Sequence, residues 1–309
     1  MAKQKFVKKL RKDSAYVLIL VIVGFFRFLP RSVALFVGSV LGRIASMILL
    51  RERKLAEEHL TLAFGNEKDM QEIRRLAKEM FRYLALNFVD MVRLNIMSTK
   101  QIEDMCIVHN LDHIKEEHGK GKGLIALSGH IGCWEVMGSW LPTVGIKPYA
   151  IAKKLYDHRL ETLLFEARER EGMTVISRGE NTRDILRAFK KGHLVGMLVD
   201  QDTDVKSVFV DFFGHPAYTP SGPAFLSLRF GVPIVPLFIY RDDNHYHHIC
   251  VGETVSIEPT GDMVKDITEL TAKAACITED FIREHPEQWV WFHKRWKTRP
   301  DTIKDEQTG

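Results

Sequence analysis

From residue 123 onward, short apolar runs alternate with stretches of helical period, and no other feature constrains the fold of this chain as much. Residues 124–127 read as a buried strand, 131–141 as a helix stopped by Pro142, 147–152 as a strand, 156–171 as a helix, 173–176 as a strand and 181–191 as a helix ended by Gly192. The series continues with strands at 194–199 and 207–210 and a helix at 223–230, capped by Ser221 and closed by Gly231. Strands at 234–240 and 246–251 and a long helix at 266–285 complete it. Strands separated by helices pair through crossovers, which favours parallel neighbours with both faces covered. The expected fold is α/β, a mixed and partly parallel sheet flanked by helices. Ahead of it, Ile73, Leu76, Ala77, Met80, Phe81, Leu84, Phe88, Met91 and Val92 recur at intervals of three and four. They predict a helix over 67–94, started by Asn66. The helices up to about residue 115 read as an appended layer.

The N-terminus adds a second constraint. Lys3, Lys5, Lys8, Lys9, Arg11 and Lys12 stand together with no acid among residues 1–12, which more than accounts for the formal net charge of +4 over 309 residues. An uncharged stretch at 15–26 follows, then a second apolar stretch at 32–42 ending at Arg43. Neither reaches the ~20 apolar residues of a spanning helix. The first ends in Phe25-Phe26-Arg27-Phe28-Leu29-Pro30, without the small-residue cleavage site of a signal peptide. A basic tail beside an apolar segment suits a monotopic anchor on anionic lipid, where each cation contributes about 1 kcal/mol. The alternative is a buried helical pair over a soluble core. The expected division is 1–50 as basic tail and membrane-associating helices, 51–300 as the α/β domain with its helical lead-in, and 301–309 as a polar tail.

Several chemistries lack their signatures. Cys106, Cys133, Cys250 and Cys276 are isolated, which disfavours zinc ribbons, CxxC redox centres and disulfide frameworks. There is no GxSxG, P-loop or HExxH pattern. The 119–123 stretch precedes a strand and reads as a turn. Asp200-Gln201-Asp202-Thr203-Asp204 lacks the glycine of a calcium loop. His245, His247 and His248 could ligate a metal, with a solvated strand end as the preferred reading. No metal, cofactor or nucleic-acid partner is expected.

One motif sits where α/β sheets do chemistry. Ser128-Gly129-His130-Ile131-Gly132-Cys133-Trp134-Glu135 follows a buried strand and opens a helix. Active sites of open α/β sheets lie at the carboxyl ends of strands. His130 then stands at the mouth of the sheet, near the positive end of a helix that favours a neutral, basic ring. Gly129 and Gly132 open the backbone to a substrate. Glu135 is placed to reach back and fix the imidazole tautomer. A histidine base oriented by an acid, without a Ser or Cys nucleophile, suits direct activation of a substrate hydroxyl. From this short pattern alone, a capping histidine at a strand–helix turn remains an open reading.

Companion stretches narrow the choice. The HxxxxE pattern is similar to the HxxxxD/E signature of lipid acyltransferases. Gly172-Met173-Thr174-Val175-Ile176-Ser177-Arg178 looks like their second block, and Val232-Pro233-Ile234-Val235-Pro236 like their fourth. Asp200-Gln201-Asp202 leads into 207–220, and near the C-terminus stands Pro286-Glu287-Gln288-Trp289-Val290-Trp291-Phe292-His293-Lys294-Arg295-Trp296-Lys297-Thr298-Arg299-Pro300. Together these resemble the bacterial lipid A late acyltransferase family, over nearly the whole chain. The Pro-Glu-Gly turn of glycerolipid enzymes is replaced by Val199-Asp200-Gln201. The residue before His130 is glycine, where enzymes acting on lipid A often carry asparagine. Both departures bear on the acceptor.

The resemblance implies transfer of a fatty acyl group from a thioester of acyl carrier protein or coenzyme A to a hydroxyl of a membrane lipid, at the cytoplasmic face of a bacterial inner membrane. It implies His130 as base with Glu135 orienting it, Arg178 on the oxyanion or a donor phosphate, and Asp200 orienting Arg178. His293 and Arg295, set among Trp289, Trp291 and Trp296, are candidate lipid-head or donor contacts, with core packing of Trp289 and Trp291 as the alternative. Lys153, Lys154, Arg159, Arg183, Arg187, Lys190 and Lys191 are basic enough to meet acyl carrier protein or a phosphorylated lipid. Competing functions are a lipid hydrolase or thioesterase using the same His–Glu pair, and a catalytically silent membrane-surface protein.

Overall fold

The computed structural model describes residues 2–152, 157–177 and 182–301. Four helices come first: α1 (Ala2–Phe28), α2 (Arg31–Ile48), α3 (Leu50–Phe64) and α4 (Met70–Arg93). The sequence places the start of α4 at Asn66. Instead Asp69 caps it, its Oδ1 accepting from the backbone N–H of Gln71 and Glu72 at 2.9 and 2.8 Å, because residues 65–68 form the turn that follows α3. A short α5 (Thr99–Asp104) then leads to the first strand.

The sheet comprises β1 (Cys106–His109), β2 (Leu124–Ser128), β3 (Pro148–Ala152), β4 (Thr174–Ser177), β5 (Leu194–Leu198), β8 (Ile234–Arg241) and β9 (His247–Val251). Among the described residues the order is β1-β9-β8-β2-β5-β3-β4, antiparallel only between β8 and β9. β6 (Ser207–Phe212) and β7 (His215–Pro220) form a separate hairpin. The helices between strands are α6 (Leu111–Gly119), α7 (Trp134–Trp140), α8 (His158–Arg170), α9 (Thr182–Lys190) and α10 (Gly222–Phe230), and α11 (Met263–Glu284) follows the last strand. The expected α/β architecture is therefore observed. Three details differ. Strands β1 and β7 were not anticipated, because each is four to six residues of mixed polarity. The hydroxyl of Ser221 donates to the Lys206 carbonyl instead of capping α10.

Period-two alternation distributes the core. Leu124 and Ala126 of β2 pack with Val136, Met137 and Trp140 of α7 on one face. Ile125 and Leu127 pack with Phe189 of α9, Leu226 of α10 and Leu270 of α11 on the other. A parallel central strand must be apolar on both sides, which is why 124–127 reads as an unbroken apolar run.

The N-terminal layer is fastened to this core in two ways. Helix α2 lies on α4 through Gly38 and Gly42. A Cβ at Gly42 would come within 2.7 Å of the Phe81 carbonyl oxygen and 2.8 Å of Arg82 Cα, and one at Gly38 within 2.7 Å of Val89. Beside this contact, the fully buried Asp90 of α4 accepts from Arg31 Nε at 2.9 Å and Arg241 Nη1 at 2.8 Å, and lies 3.0 Å from His247 Nε2. Asp90 thus ties the start of α2 to the adjacent sheet strands β8 and β9. Arg93 of α4 donates to the carbonyls of Phe26 and Leu29, filling acceptors that the end of α1 leaves open.

The outer surface of α1 and α2 is apolar. Among the described residues, seventeen of the 27 exposed large hydrophobic side chains lie between Leu10 and Leu50, among them Phe28, Phe36, Met47 and Ile48. Among the described residues, α2 is the one helix long and apolar enough to cross a membrane by length and composition. At 18 residues it measures about 27 Å.

The buried hub makes a pH prediction. Burial first, then the charge of Arg241, push His247 down to about 4 against the pull of Asp90. Above the unfolded value of 6.5 the ring is neutral in both states. Below it, only the unfolded chain takes up the proton until pH falls through about 4. Stability should therefore decline across that window by about 1.4 kcal/mol per pH unit from this residue. Chemical denaturation at pH 7 and pH 5 measures the decline, and His247→Gln should flatten it.

Candidate active site

Strands β2 and β5 are adjacent and parallel, with Ser128 opposite Leu198. Two residues beyond each, at the carboxyl ends, come His130 and Asp200. They meet through two hydrogen bonds. The His130 amide donates to Asp200 Oδ2 at 2.6 Å, and His130 Nδ1 lies 2.8 Å from Oδ1. An ionised carboxylate only accepts, so the ring proton sits on Nδ1 and leaves the lone pair on Nε2. The third donor is Trp289, whose Nε1–H reaches Oδ2 at 2.7 Å. Asp200 is completely enclosed. Burial alone would raise its pKa, but the attraction of His130 and the donors from His130 and Trp289 hold it well below the usual carboxylate range.

Two glycines shape the turn, though not by admitting a substrate. A Cβ at Gly129 would lie 3.1 Å from Asp200 Oδ2, so the missing side chain makes room for the carboxylate. Gly132 has φ +58°, and a Cβ there would fall 2.1 Å from the Ile239 carbonyl oxygen. Both spaces are occupied by the protein itself. Helix α7 begins only at Trp134 and is seven residues long. The ring is oriented by Asp200 and not by this short helix.

Glu135 does not orient His130. Its carboxylate is held by Arg168 of α8, with Nη2 at 2.5 Å and Nε at 3.0 Å, and accepts from Trp134 Nε1 at 3.2 Å. Five residues of turn and helix carry Glu135 away from the strand end and toward α8, whereas Asp200 is one strand over and in register. Nearby, burial pushes the Glu171 carboxyl up to about 7 while the Ser139 hydroxyl donates to it at 2.5 Å. Arg178 lies outside the described residues. The oxygens of Asp200 that were expected to orient it take the donors of His130 and Trp289.

His293 and Arg295 separate. The His293 ring meets the His130 ring edge-on, 5.3 Å between centroids, and Trp134 does the same at 5.1 Å. Burial and the neighbouring charge of His130 push His293 down to about 4, so it stays neutral at ordinary pH beside the Gln201 amide. Arg295 does not contact solvent or lipid. It is wholly buried over the Phe212 ring, donating to the Tyr218 carbonyl and to Thr219 Oγ1 at 2.9 and 2.6 Å. Trp289 and Trp291 are likewise fully buried in the core, which answers the choice between core and membrane interface for those two. Cys133 offers no nucleophile. Its thiol is buried, faces the Asn87 carbonyl and is pushed up to about 12 by that burial.

The site thus presents one partly exposed imidazole with a free Nε2, anchored from behind by a buried carboxylate. This is the arrangement of a general base acting on a substrate hydroxyl. The family model for the bacterial lipid A biosynthesis acyltransferases matches residues 3–298. The chain belongs to this family. It is an acyltransferase, and its relatives agree. It is 27% identical over 277 residues to the lipid A biosynthesis palmitoleoyltransferase of Escherichia coli (strain K12), covering 88% of this chain and 87% of that protein. It is 24% identical over 282 residues to the lauroyltransferase of the same strain, covering 89% of each. The phosphatidylinositol mannoside acyltransferase of Mycobacterium tuberculosis (strain CDC 1551 / Oshkosh) is 24% identical over 239 residues, 74% of this chain and 68% of that protein.

Sequence reasoning named both His130 and Asp200 but did not pair them, and it missed Arg168 and Trp289 as partners. The available signal was that each of His130 and Asp200 stands just past a buried apolar run.

Two variants separate the two carboxylates. Asp200→Asn should keep the fold but lower kcat by about 10²–10⁴-fold, because the amide no longer enforces the Nδ1–H tautomer. His130→Ala should lose at least as much. Glu135→Gln should instead lower stability by about 1–3 kcal/mol, since Arg168 loses its partner and Glu171 takes up part of the charge. Turnover of the folded Glu135→Gln protein should fall less than that of Asp200→Asn. Steady-state kinetics beside denaturant melts of all three proteins check this.

Proposed function

We propose that this acyltransferase moves a fatty acyl chain from an acyl thioester, carried by acyl carrier protein or coenzyme A, to a hydroxyl of a lipid A precursor. The observation that carries the reading is His130, with its Nδ1 held by Asp200 and its Nε2 free, in a chain matched almost end to end by lipid A acyltransferases. Nε2 takes the hydroxyl proton as the oxygen attacks the thioester carbonyl. The carbon–sulfur bond then breaks, and His130 returns the proton to the departing thiolate. Arg178, from its place in the second sequence block, stabilises the oxyanion or a donor phosphate. No cofactor enters these steps. The basic residues Arg183, Lys190 and Lys191 contribute attraction toward an acidic carrier or phosphorylated lipid. Arg159 contributes less, being paired with Asp157 and Asp13, and Arg187 is paired with Asp184.

The enzyme works at the cytoplasmic face of the inner membrane, with residues 1–50 as its lipid contact and 51–300 as its catalytic part. The exposed apolar surface of α1 and α2 supports this. The clamp of α2 on α4 and on Asp90 supports a helical pair lying in the interface over a single span. The mannoside acyltransferase among the relatives favours a second reading, transfer to another membrane glycolipid.

Mass spectrometry of total lipids with and without the gene tests the acceptor. The expected result is loss of one acyl chain from the lipid A fraction, and loss from another glycolipid would select the second reading. Free fatty acid without acylated lipid would mean hydrolysis. For the membrane contact, Phe36→Glu with Met47→Glu should weaken binding to anionic vesicles by at least 10-fold. Each side chain withdrawn from lipid costs about 1.5–3 kcal/mol, and 1.4 kcal/mol is tenfold. Activity on detergent-dispersed acceptor should persist, since both are exposed side chains of α2 and neither takes part in the contacts of His130. Co-sedimentation measures the binding.

A further inference from the structure

The segment that follows α11 runs directly behind the His130 turn. A short helical turn, Pro286–Gln288, ends in extended backbone at Trp289. Trp289 then bridges Ile131 in antiparallel fashion. The Gly132 amide donates to the Gln288 carbonyl at 3.1 Å, and the Val290 amide to the His130 carbonyl at 3.3 Å. Gln288 is itself fixed to β8, accepting from the Arg241 amide and donating to the Arg241 carbonyl, both at 2.8 Å. A tight turn, with the Trp291 amide donating to the Trp289 carbonyl at 3.1 Å, keeps the two indoles together, and both are buried, 4.6 Å apart edge to face. Their indole donors go to different places: Trp291 Nε1 to the Pro286 carbonyl at 2.6 Å, Trp289 Nε1 to Asp200 Oδ2 at 2.7 Å.

We propose that Trp289 is a positioning residue of the active site, holding Asp200 in the rotamer that fixes the His130 tautomer while its backbone braces the His130 turn. This rests on the reading of His130 as the base. The physical argument is one of constraint. Asp200 Oδ1 has one donor from His130, and Oδ2 has two, from the His130 amide and Trp289. Without the indole, Oδ2 keeps a single backbone donor and the carboxylate is held only by groups of His130 itself, so it turns more easily about its last bond and the ring's acceptor is less well aligned. A buried carboxylate stripped of a donor also pulls harder on the proton it still shares. The other titratable groups facing the pair are His293 and Arg295 on the same C-terminal segment and Asp202 beyond β5, with His59 of α3 behind His293.

The test uses the full chain in two substituted forms. Trp289→Phe removes the donor and some volume. Incorporation of 3-benzothienylalanine at position 289 keeps the bicyclic shape and removes only the N–H, so it serves if the phenylalanine variant does not fold. Trp291→Phe is the control, equally buried but bonded away from Asp200. The first readout is the low-field proton of His130 Nδ1–H in histidine-labelled protein, identified by its loss in His130→Ala. It should shift in both position-289 variants and stay in Trp291→Phe. The second is kinetic, with a dodecanoyl thioester donor and a lipid A precursor in detergent. For the position-289 variants kcat should fall about 10–100-fold, the range typical when a hydrogen-bond partner behind a functional group is removed. KM should change little, and the acid limb of the kcat/KM profile should move to higher pH. An unshifted Nδ1–H resonance in the benzothienylalanine protein, or a shift equal to that in Trp291→Phe, would overturn the proposal. If the unmodified protein transfers no acyl group, the functional reading fails and the resonance still decides the role of Trp289.

Discussion

The candidate active site depends first on the pairing of β2 with β5. Because the two strands are parallel and in register at Ser128 and Leu198, the residues that leave them at the same end emerge side by side. That alone brings a histidine and an aspartate, 70 residues apart, into hydrogen-bond contact. Everything near the pair accommodates the burial of a carboxylate. Gly129 gives up its Cβ to make space, the His130 amide and ring donate, and Trp289 donates from behind. An ionised carboxylate withdrawn from water without such donors is too costly to keep its charge. The charge is what orders the imidazole.

A second buried carboxylate, Asp90, joins this site to the outer layer. Arg31 of α2 and Arg241 of β8 both bind it. The backbone of Arg241 is in turn held by Gln288, whose carbonyl receives the Gly132 amide of the histidine turn. A continuous run of buried polar contacts therefore connects the start of α2 to the turn bearing His130. Breaking one member leaves others uncompensated in a low dielectric, so each contact supports the next. The run thereby links α2, which carries much of the apolar outer surface, to the turn of His130. That suits an enzyme whose proposed acceptor is fixed in a lipid surface.

The two carboxylates near His130 show how closeness along the chain misleads. Glu135 is five residues from His130, and the spacing invites a direct contact. The chain first turns at Gly132 and then enters α7, which aims Glu135 at Arg168. The pair instead fastens α7 to α8, and Trp134, which contacts both Glu135 and the His130 ring, passes that order to the site.

What the amino-acid sequence by itself determined is local or periodic. Apolar runs such as 124–127 and 194–198, the helical stripe of α4, and the basic and apolar character of the N-terminus follow from side-chain chemistry at fixed spacing. From these the α/β class and the strand-end location of His130 and Asp200 were legible, while the resemblance to acyltransferases came from the motif blocks around His130, 172–178 and 286–300. Tertiary structure alone decided which strands are neighbours. Strand order sets the partner of His130, the inward course of 286–291, and the burial of Arg295, and it depends on long-range packing that no short window contains. The glycines make the same point. A missing Cβ at 129 or 132 is visible in the sequence, but only the fold shows that Asp200 and the Ile239 carbonyl, and no substrate, take up the space.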